Sequence, residues 1–241
     1  MRNYLNLTVV IYQQSMTGVS SPKLQPLSLA EHAYTEIRRL IIRLDLAPGD
    51  VVREADLQAT LDMSRTPIRE ALQRLARDHF VTVIPRRGMF VSAIGFDELA
   101  MLYETRAIME PYAARLATKR GTQADWDEMA DVLAESVLPG KTPEELLELD
   151  RQCHEIIWRA SGNRFLTNTL DTLYAQSDRL WHMYLADGHG MGHAVEDHAA
   201  IHDALQSGDA ETVAHLIEDH VNSFDAQVRD AVTTRLTAPL S

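Results

Sequence analysis

The chain has 241 residues, 45% of them hydrophobic and 24% charged, with a formal net charge of −12. That length can bury two ordinary cores. A single cysteine, Cys153, excludes an intrachain disulfide framework and fits a reducing cytoplasm, and no apolar run reaches the length of a membrane span. The charge is uneven: through Phe96 there are 12 Lys+Arg against 9 Asp+Glu, and from Asp97 onward 11 against 26. DNA responds to the face presented to it, so the basic excess of the first part fits a polyanion partner and the acidic remainder should face away.

In chain order, residues 1–26 read as a disordered extension, or as sequence upstream of a true start at Met16. Leu5 to Tyr12 is apolar but short, and no small-residue cleavage site follows. Ser28-Leu29-Ala30-Glu31 has capping-box spacing and opens an amphipathic helix marked by Ala33, Ile37, Leu40, Ile41 and Leu44. Ala47-Pro48-Gly49-Asp50 stops it in a turn. Leu57 and Leu61 mark a short second helix, joined by a tight turn at Asp62-Met63 to the run Ser64-Arg65-Thr66-Pro67-Ile68-Arg69-Glu70-Ala71-Leu72. Proline is tolerated in a first helical turn, and Ser64 or Thr66 can cap the exposed N–H groups. Ile68, Leu72 and Leu75 then point one way, while Arg69, Gln73 and Arg77 point the other. Phe80–Ile84 and Met89–Val91 read as strands joined by the basic hairpin Pro85-Arg86-Arg87-Gly88.

Helix, helix-turn-helix and a two-stranded basic wing make a winged helix-turn-helix domain over 27–95, with a sharply starting, arginine-bearing helix suited to the DNA major groove. The candidate DNA-contact set is Arg53, Ser64, Arg65, Thr66, Arg69, Arg87 and Gly88. The bland alternative is a small helical domain with a solvated arginine face. The stretch from about Ala33 to Val91 resembles the N-terminal domain of GntR-type bacterial transcriptional regulators. The resemblance is carried by Leu46-Ala47-Pro48-Gly49-Asp50, the nine-residue run above, Leu75-Ala76-Arg77-Asp78, and Arg87-Gly88 before Val91. The chain departs from that family at His79, where glycine is usual and suits the left-handed end of a helix.

From 96 to 235 the pattern is helical throughout, which implies a mainly α protein whose second domain is an all-α antiparallel bundle of about six or seven helices. Leu99, Leu102, Arg106, Met109, Ala113 and Leu116 trace one face; Trp126, Met129, Leu133 and Val137 trace the next. Thr142-Pro143-Glu144-Glu145 is a capping box opening a helix to Gly162, and further helices run from Arg164 to Ala186, His193 to Ser207 and Asp209 to Val232.

Asp150 and His154 lie one turn apart on an apolar face with Leu146, Cys153 and Ile157. His198 shares a face with Val195, Ile201 and Leu205, and His220 with Val213, Leu216, Ile217 and Phe224. One aspartate and three histidines from three helices therefore point inward, as in the metal sites of bundles. Such a donor set suits Zn²⁺ or Ni²⁺ first, then Mn²⁺ or Fe²⁺, with positions open for a ligand. Each histidine alone reads more readily as a satisfied core residue than as a ligand, but several unpaired buried polar groups together would be costly. His198 with His202, and His189 with His193 in a glycine-rich loop, are rival pairs. His202 reads as a cavity group, and His182 and His215 show no helical partner. Arg106, on an apolar stripe, is either paired with Glu110 one turn on or a fork for an effector carboxylate.

The pattern Asp150-x3-His154, Ser161-Gly162-Asn163, Glu196-x-His198-x2-Ile201 and Ala214-x5-His220 resembles the FCD-type effector domain of the FadR subfamily. The resemblance implies a divalent metal on Asp150, His154, His198 and His220. It also implies a small carboxylic or sugar acid beside the metal, with Arg106 facing the cavity. The expected protein is a homodimeric cytoplasmic regulator, a repressor in this reading, acting on palindromic operator DNA without any membrane association and without catalysis. Two alternatives remain open from the residues alone. One is a metal-dependent, hydrolase-like enzyme; the other is a constitutive DNA binder whose bundle serves only structure.

Overall fold

The computed structural model describes residues 28–184 and 191–237; the N-terminal extension with its Met16 start, the loop carrying His189, and the His193 side chain lie outside the described part. The N-terminal half opens with α1 (Leu29–Ile42), β1 (Val51–Val52), α2 (Glu54–Leu61), α3 (Arg65–Arg77), β2 (Val81–Ile84) and β3 (Gly88–Val91). Six helices follow: α4 (Phe96–Arg120), α5 (Gln123–Ser136), α6 (Pro143–Ala160), α7 (Arg164–Tyr184), α8 (Met191–Ser207) and α9 (Ala210–Thr237). The architecture is a winged helix-turn-helix domain joined to an all-helical domain. Among the described residues no helix is long and apolar enough to cross a membrane.

Local chemistry explains most boundaries. Ser28 caps α1 through its hydroxyl, which accepts the Glu31 N–H at 3.1 Å. The helix stops at Ile42, so Leu44 is not its last apolar position but a turn residue at φ +63°. Ser64 occupies the N-cap of α3, yet no side-chain cap bond forms there, which corrects the capping role expected for its hydroxyl. At the other end of α3, His79 adopts φ +63°, and the Phe80 N–H donates to the Leu75 carbonyl at 2.9 Å. That bond and the buried pair Phe80 and Leu75 make a Schellman stop, with histidine bearing the left-handed strain that glycine would avoid.

The sheet has three strands rather than the two expected, in the order β1-β3-β2. β3 pairs antiparallel with both neighbours: Val81 lies opposite Val91, Ile84 opposite Gly88, and Val51 opposite Phe90. A two-residue strand offers no alternation to detect, which is why β1 is invisible in sequence. Ile37, Ile41, Ile68, Leu72, Leu75 and Phe80 are fully buried in this domain, each contributing about 1.5–3 kcal/mol.

The bundle begins at Gly95, whose N–H donates to Glu98 Oε2 at 2.9 Å. The Thr142 cap of α6 is reciprocal as anticipated, with Thr142 N donating to Glu145 Oε2 at 2.8 Å and Glu145 N to the Thr142 hydroxyl at 3.2 Å. Val137 is not on the core face of α5; it follows the helix and is 73% exposed. α7 is the bridge between domains. Its Asp171 accepts both terminal nitrogens of Arg38 on α1, at 2.6 and 2.9 Å, and Ala175 packs in the core of the N-terminal domain. Gln176 donates to the Asp78 carbonyl at 3.2 Å, and the buried Arg179 donates to the carbonyl of Ser92 in the inter-domain linker.

Candidate metal centre and nucleic-acid interface

The apolar periodicity of α6, α8 and α9 turns Asp150, His154, His198 and His220 toward one buried point, where one ligand atom from each lies within 4.8 Å of all the others. His154 Nε2 and His220 Nε2 face one another at 3.2 Å. Asp150 Oδ1 stands 3.4 Å from His198 Nδ1 and 3.5 Å from His220 Nε2, yet is buried without a hydrogen-bond partner. Carboxylates hold the outer nitrogens of two rings: Glu110 Oε2 is 2.7 Å from His154 Nδ1, and Asp197 Oδ2 is 3.1 Å from His220 Nδ1. With protons on those outer nitrogens, both Nε2 lone pairs aim inward, an arrangement typical of metal-ligating histidines. Tyr174 donates its O–H to Asp150 Oδ2 at 2.6 Å and orients that carboxylate. One carboxylate oxygen left unsatisfied among three converging imidazoles fits a first-row divalent cation.

The electrostatics point the same way. Burial raises the Asp150 carboxyl pKa, but His198, His220 and His154 hold it well below the ordinary carboxylate range. Burial lowers His220, but Asp150 and Asp197 carry it up to about 9. Glu110 is opposed by burial and drawn down to about 2 by Arg106 and then His154. Arg106, 3% exposed, donates its Nε to Glu110 Oε1 at 2.6 Å and lies 5.1 Å from the Tyr174 ring centre. The Arg106–Glu110 pair weighed from sequence is thus present, and the same carboxylate touches His154. Arg106 also lines, with Asp150, His154, Tyr174 and His220, a small cavity with space for about one water.

His202 and His182 fall away from this point. His202 Nε2 is 3.0 Å from the Trp126 carbonyl, so it braces α8 against α5 rather than lining the cavity. His182, for which sequence suggested no helical partner, has Asp178 one turn back at 3.4 Å. Tyr174 and Asp197 escaped sequence reading because their contacts are made between helices. Glu110 carried a signal in its spacing from Arg106.

On the winged helix-turn-helix domain, the first turns of α2 and α3 lie side by side. Glu54, which sequence reasoning did not single out, stands 3.4 Å from Arg65 Nε and 3.4 Å from Arg69 Nε, and Arg53 reaches Asp56 at 3.7 Å. Ser64, Arg65, Thr66 and Arg69 are exposed at that helix start. Arg87 and Gly88 are exposed at the β2–β3 turn; Gly88 has φ +112° with open space around it, so the backbone conformation, not crowding, requires glycine.

Two family descriptions match this chain: "Bacterial regulatory proteins, gntR family" over residues 29–91 and "FCD domain" over residues 101–223. The Nta operon transcriptional regulator of Aminobacter aminovorans is 30% identical over 191 residues, covering 79% of this chain and 90% of that protein. The HTH-type transcriptional repressor RspR of Escherichia coli (strain K12) is 25% identical over 201 residues, covering 83% and 88%. Among solved structures, E. coli McbR/YncC shares the fold with a TM-score of 0.75 at 22% identity, covering 85% of this chain and 98% of that one. A putative GntR regulator from Rhodococcus sp. RHA1 follows at a TM-score of 0.67 and 22% identity, covering 84% and 98%. These relatives are regulators, which sets aside the hydrolase-like alternative. The chain belongs to the GntR family of bacterial transcriptional regulators, with a winged helix-turn-helix DNA-binding domain followed by an FCD domain.

Proposed function

We propose that this regulator binds a palindromic operator as a homodimer in the cytoplasm, and that a small organic or sugar acid, held beside a divalent metal in the FCD domain, sets its operator affinity. Repression is the favoured direction, in keeping with the name of the relative RspR. The observation that carries the reading is the convergence of Asp150, His154, His198 and His220 on one buried point with Arg106 lining the same cavity. Those four residues would hold the ion, Zn²⁺ or Ni²⁺ before Mn²⁺ or Fe²⁺, and the bound ion supplies a positive centre for carboxylate oxygens. Arg106 provides the second positive charge, Glu110 aligns both Arg106 and His154, and Tyr174 fixes Asp150. On DNA, Arg65 and Arg69 address base edges or phosphates, Ser64, Thr66 and Arg53 the backbone, and Arg87-Gly88 form the wing contact.

Calorimetry with small carboxylic acids, on protein of measured metal content, tests the reading. His198→Ala and His220→Ala are expected to lose metal and acid together, whereas Arg106→Lys should keep the metal and bind acid about tenfold more weakly, because the bidentate fork is lost. Equal acid affinity in all variants would place the effector elsewhere. Operator affinity indifferent to every metal and acid would leave a constitutive DNA binder.

A further inference from the structure

The start of α3 carries an acidic partner from outside its own helix. Glu54, in the first turn of α2, sets Oε2 3.4 Å from Arg65 Nε and Oε1 3.4 Å from Arg69 Nε, one carboxylate oxygen to each guanidinium. The Glu54 side chain is 30% exposed against 69% and 59% for the two arginines, so the acid is the most enclosed of the three. Among the described residues no hydrogen bond engages the terminal nitrogens of either arginine. Folding does not explain this grouping, because exposed ion pairs contribute little to stability. General attraction for DNA does not explain it either, because a carboxylate beside phosphates repels them. Local helix chemistry keeps the acid in place. Arg53 at the N-cap of α2 makes no side-chain cap bond, and the open N–H groups of that first turn favour an anion. Asp56, the other acid of the turn, is engaged with Arg53 at 3.7 Å, which leaves Glu54 to meet α3.

We propose that Glu54 is the positioning residue for DNA reading: it takes up the Nε edge of Arg65 and Arg69 and so presents their terminal nitrogens as fixed forks to base edges. The inference rests on the reading of Arg65 and Arg69 as DNA contacts. A free guanidinium meets a phosphate from many rotamers, whereas guanine O6 and N7 accept it in one planar register. Fixing the forks therefore favours base discrimination, while the added negative charge weakens sequence-independent attraction. The loose pairs of the free protein tighten in the complex, because DNA displaces water and the attraction between Glu54 and both guanidinium groups strengthens.

The test uses full-length protein and a duplex selected by the wild type from a random-sequence library, with a shuffled duplex of the same composition as the non-specific probe. Glu54→Gln keeps the shape and removes the charge. It should bind the shuffled duplex more tightly, and its preference for the selected duplex should fall by at least about fivefold, with the melting temperature unchanged. The base positions that relax should be those that relax in Arg65→Ala or Arg69→Ala. Adding Glu54→Gln to the protein that lacks both arginines should cost no further preference, since the partners it positions are gone. A smaller fall in preference, or an unaltered affinity for the shuffled duplex, overturns the proposal. Relaxation at a base pair that neither arginine variant affects would make Glu54 a direct reader of cytosine N4, and overturns the positioning role. If neither arginine variant relaxes any position, the DNA-contact reading of those arginines fails, and this inference with it.

Discussion

Glu110 serves two groups at once: its Oε1 accepts Arg106 and its Oε2 faces His154 Nδ1 at 2.7 Å. A buried carboxylate in that position is sustained by the Arg106 guanidinium and the His154 ring it separates. Removing its charge would loosen the guanidinium and a metal-site ring together. His220 carries the clearest pH signature. Burial lowers its pKa, but Asp150 and Asp197 raise it to about 9, so in the metal-free protein it is protonated at pH 7. A metal must displace that proton. Zinc affinity is therefore expected to rise about tenfold per pH unit between pH 7 and about 9 and then level, with release of a proton measurable by calorimetry in buffers of different ionisation enthalpy. A flat profile over that range would mean the ring does not ligate. The same raised value gives the metal-free fold a stabilising contribution that is complete below the ordinary histidine pKa and disappears as pH climbs through about 9. On the DNA side, Arg69 is exposed and paired only loosely, at 3.4 Å, with Glu54. Arg69→Ala should weaken specific operator binding by about 1–3 kcal/mol while leaving the melting temperature and metal content as they were. Unchanged affinity in a gel-shift titration would remove Arg69 from the reading surface.

Among the elements, α3 was legible in all but its cap: Ile68, Leu72 and Leu75 recur at helical spacing and are buried, and its Schellman stop survives the replacement of the customary glycine by His79. β1 was not legible, because it exists only through pairing with β3. α7 shows the limit most clearly. Its sequence reads as an ordinary amphipathic helix, yet Tyr174 bonds Asp150 of the candidate site while Asp171, Ala175 and Gln176 grip the DNA-binding domain. Side chains one to three positions apart thus touch the candidate sensor and the DNA reader on one rigid rod. Asp171→Ala should leave acid binding in place, because Asp171 is no part of the metal site, yet abolish or sharply reduce the acid's effect on operator affinity. Undiminished coupling in paired gel shifts with and without acid would show that the signal takes another route.

The whole molecule separates charge by task, with a basic DNA-binding end and an acidic bundle. One recognition helix reads only a few base pairs, so useful specificity calls for two copies. The outer face of α4 offers Met101, Ile108 and Tyr112 as an exposed apolar stripe, with Ile108 at 74% exposure. Ile108→Glu on that stripe should shift the protein toward monomer in light scattering and weaken operator binding in step, with the helical content retained. A monomeric wild type at micromolar concentration would reject the homodimer outright. Linkage adds a constraint independent of any one residue: operator DNA must weaken effector binding by the same factor by which effector weakens operator binding.

What the sequence by itself determined was everything written in local periodicity: the winged helix-turn-helix order, the basic helix start, the helical bundle, and a set of four inward Asp and His side chains drawn from three helices. Those features repeat at fixed spacing along one segment, and burial of one face enforces them. Only the tertiary structure decided how separate segments meet. It set Glu110 between Arg106 and His154, brought Tyr174 to Asp150, and aligned Glu54 with two arginines of the next helix. Each of these contacts joins residues whose own helices give no sign of the partner, because helix packing, not helix formation, chooses which neighbours face each other.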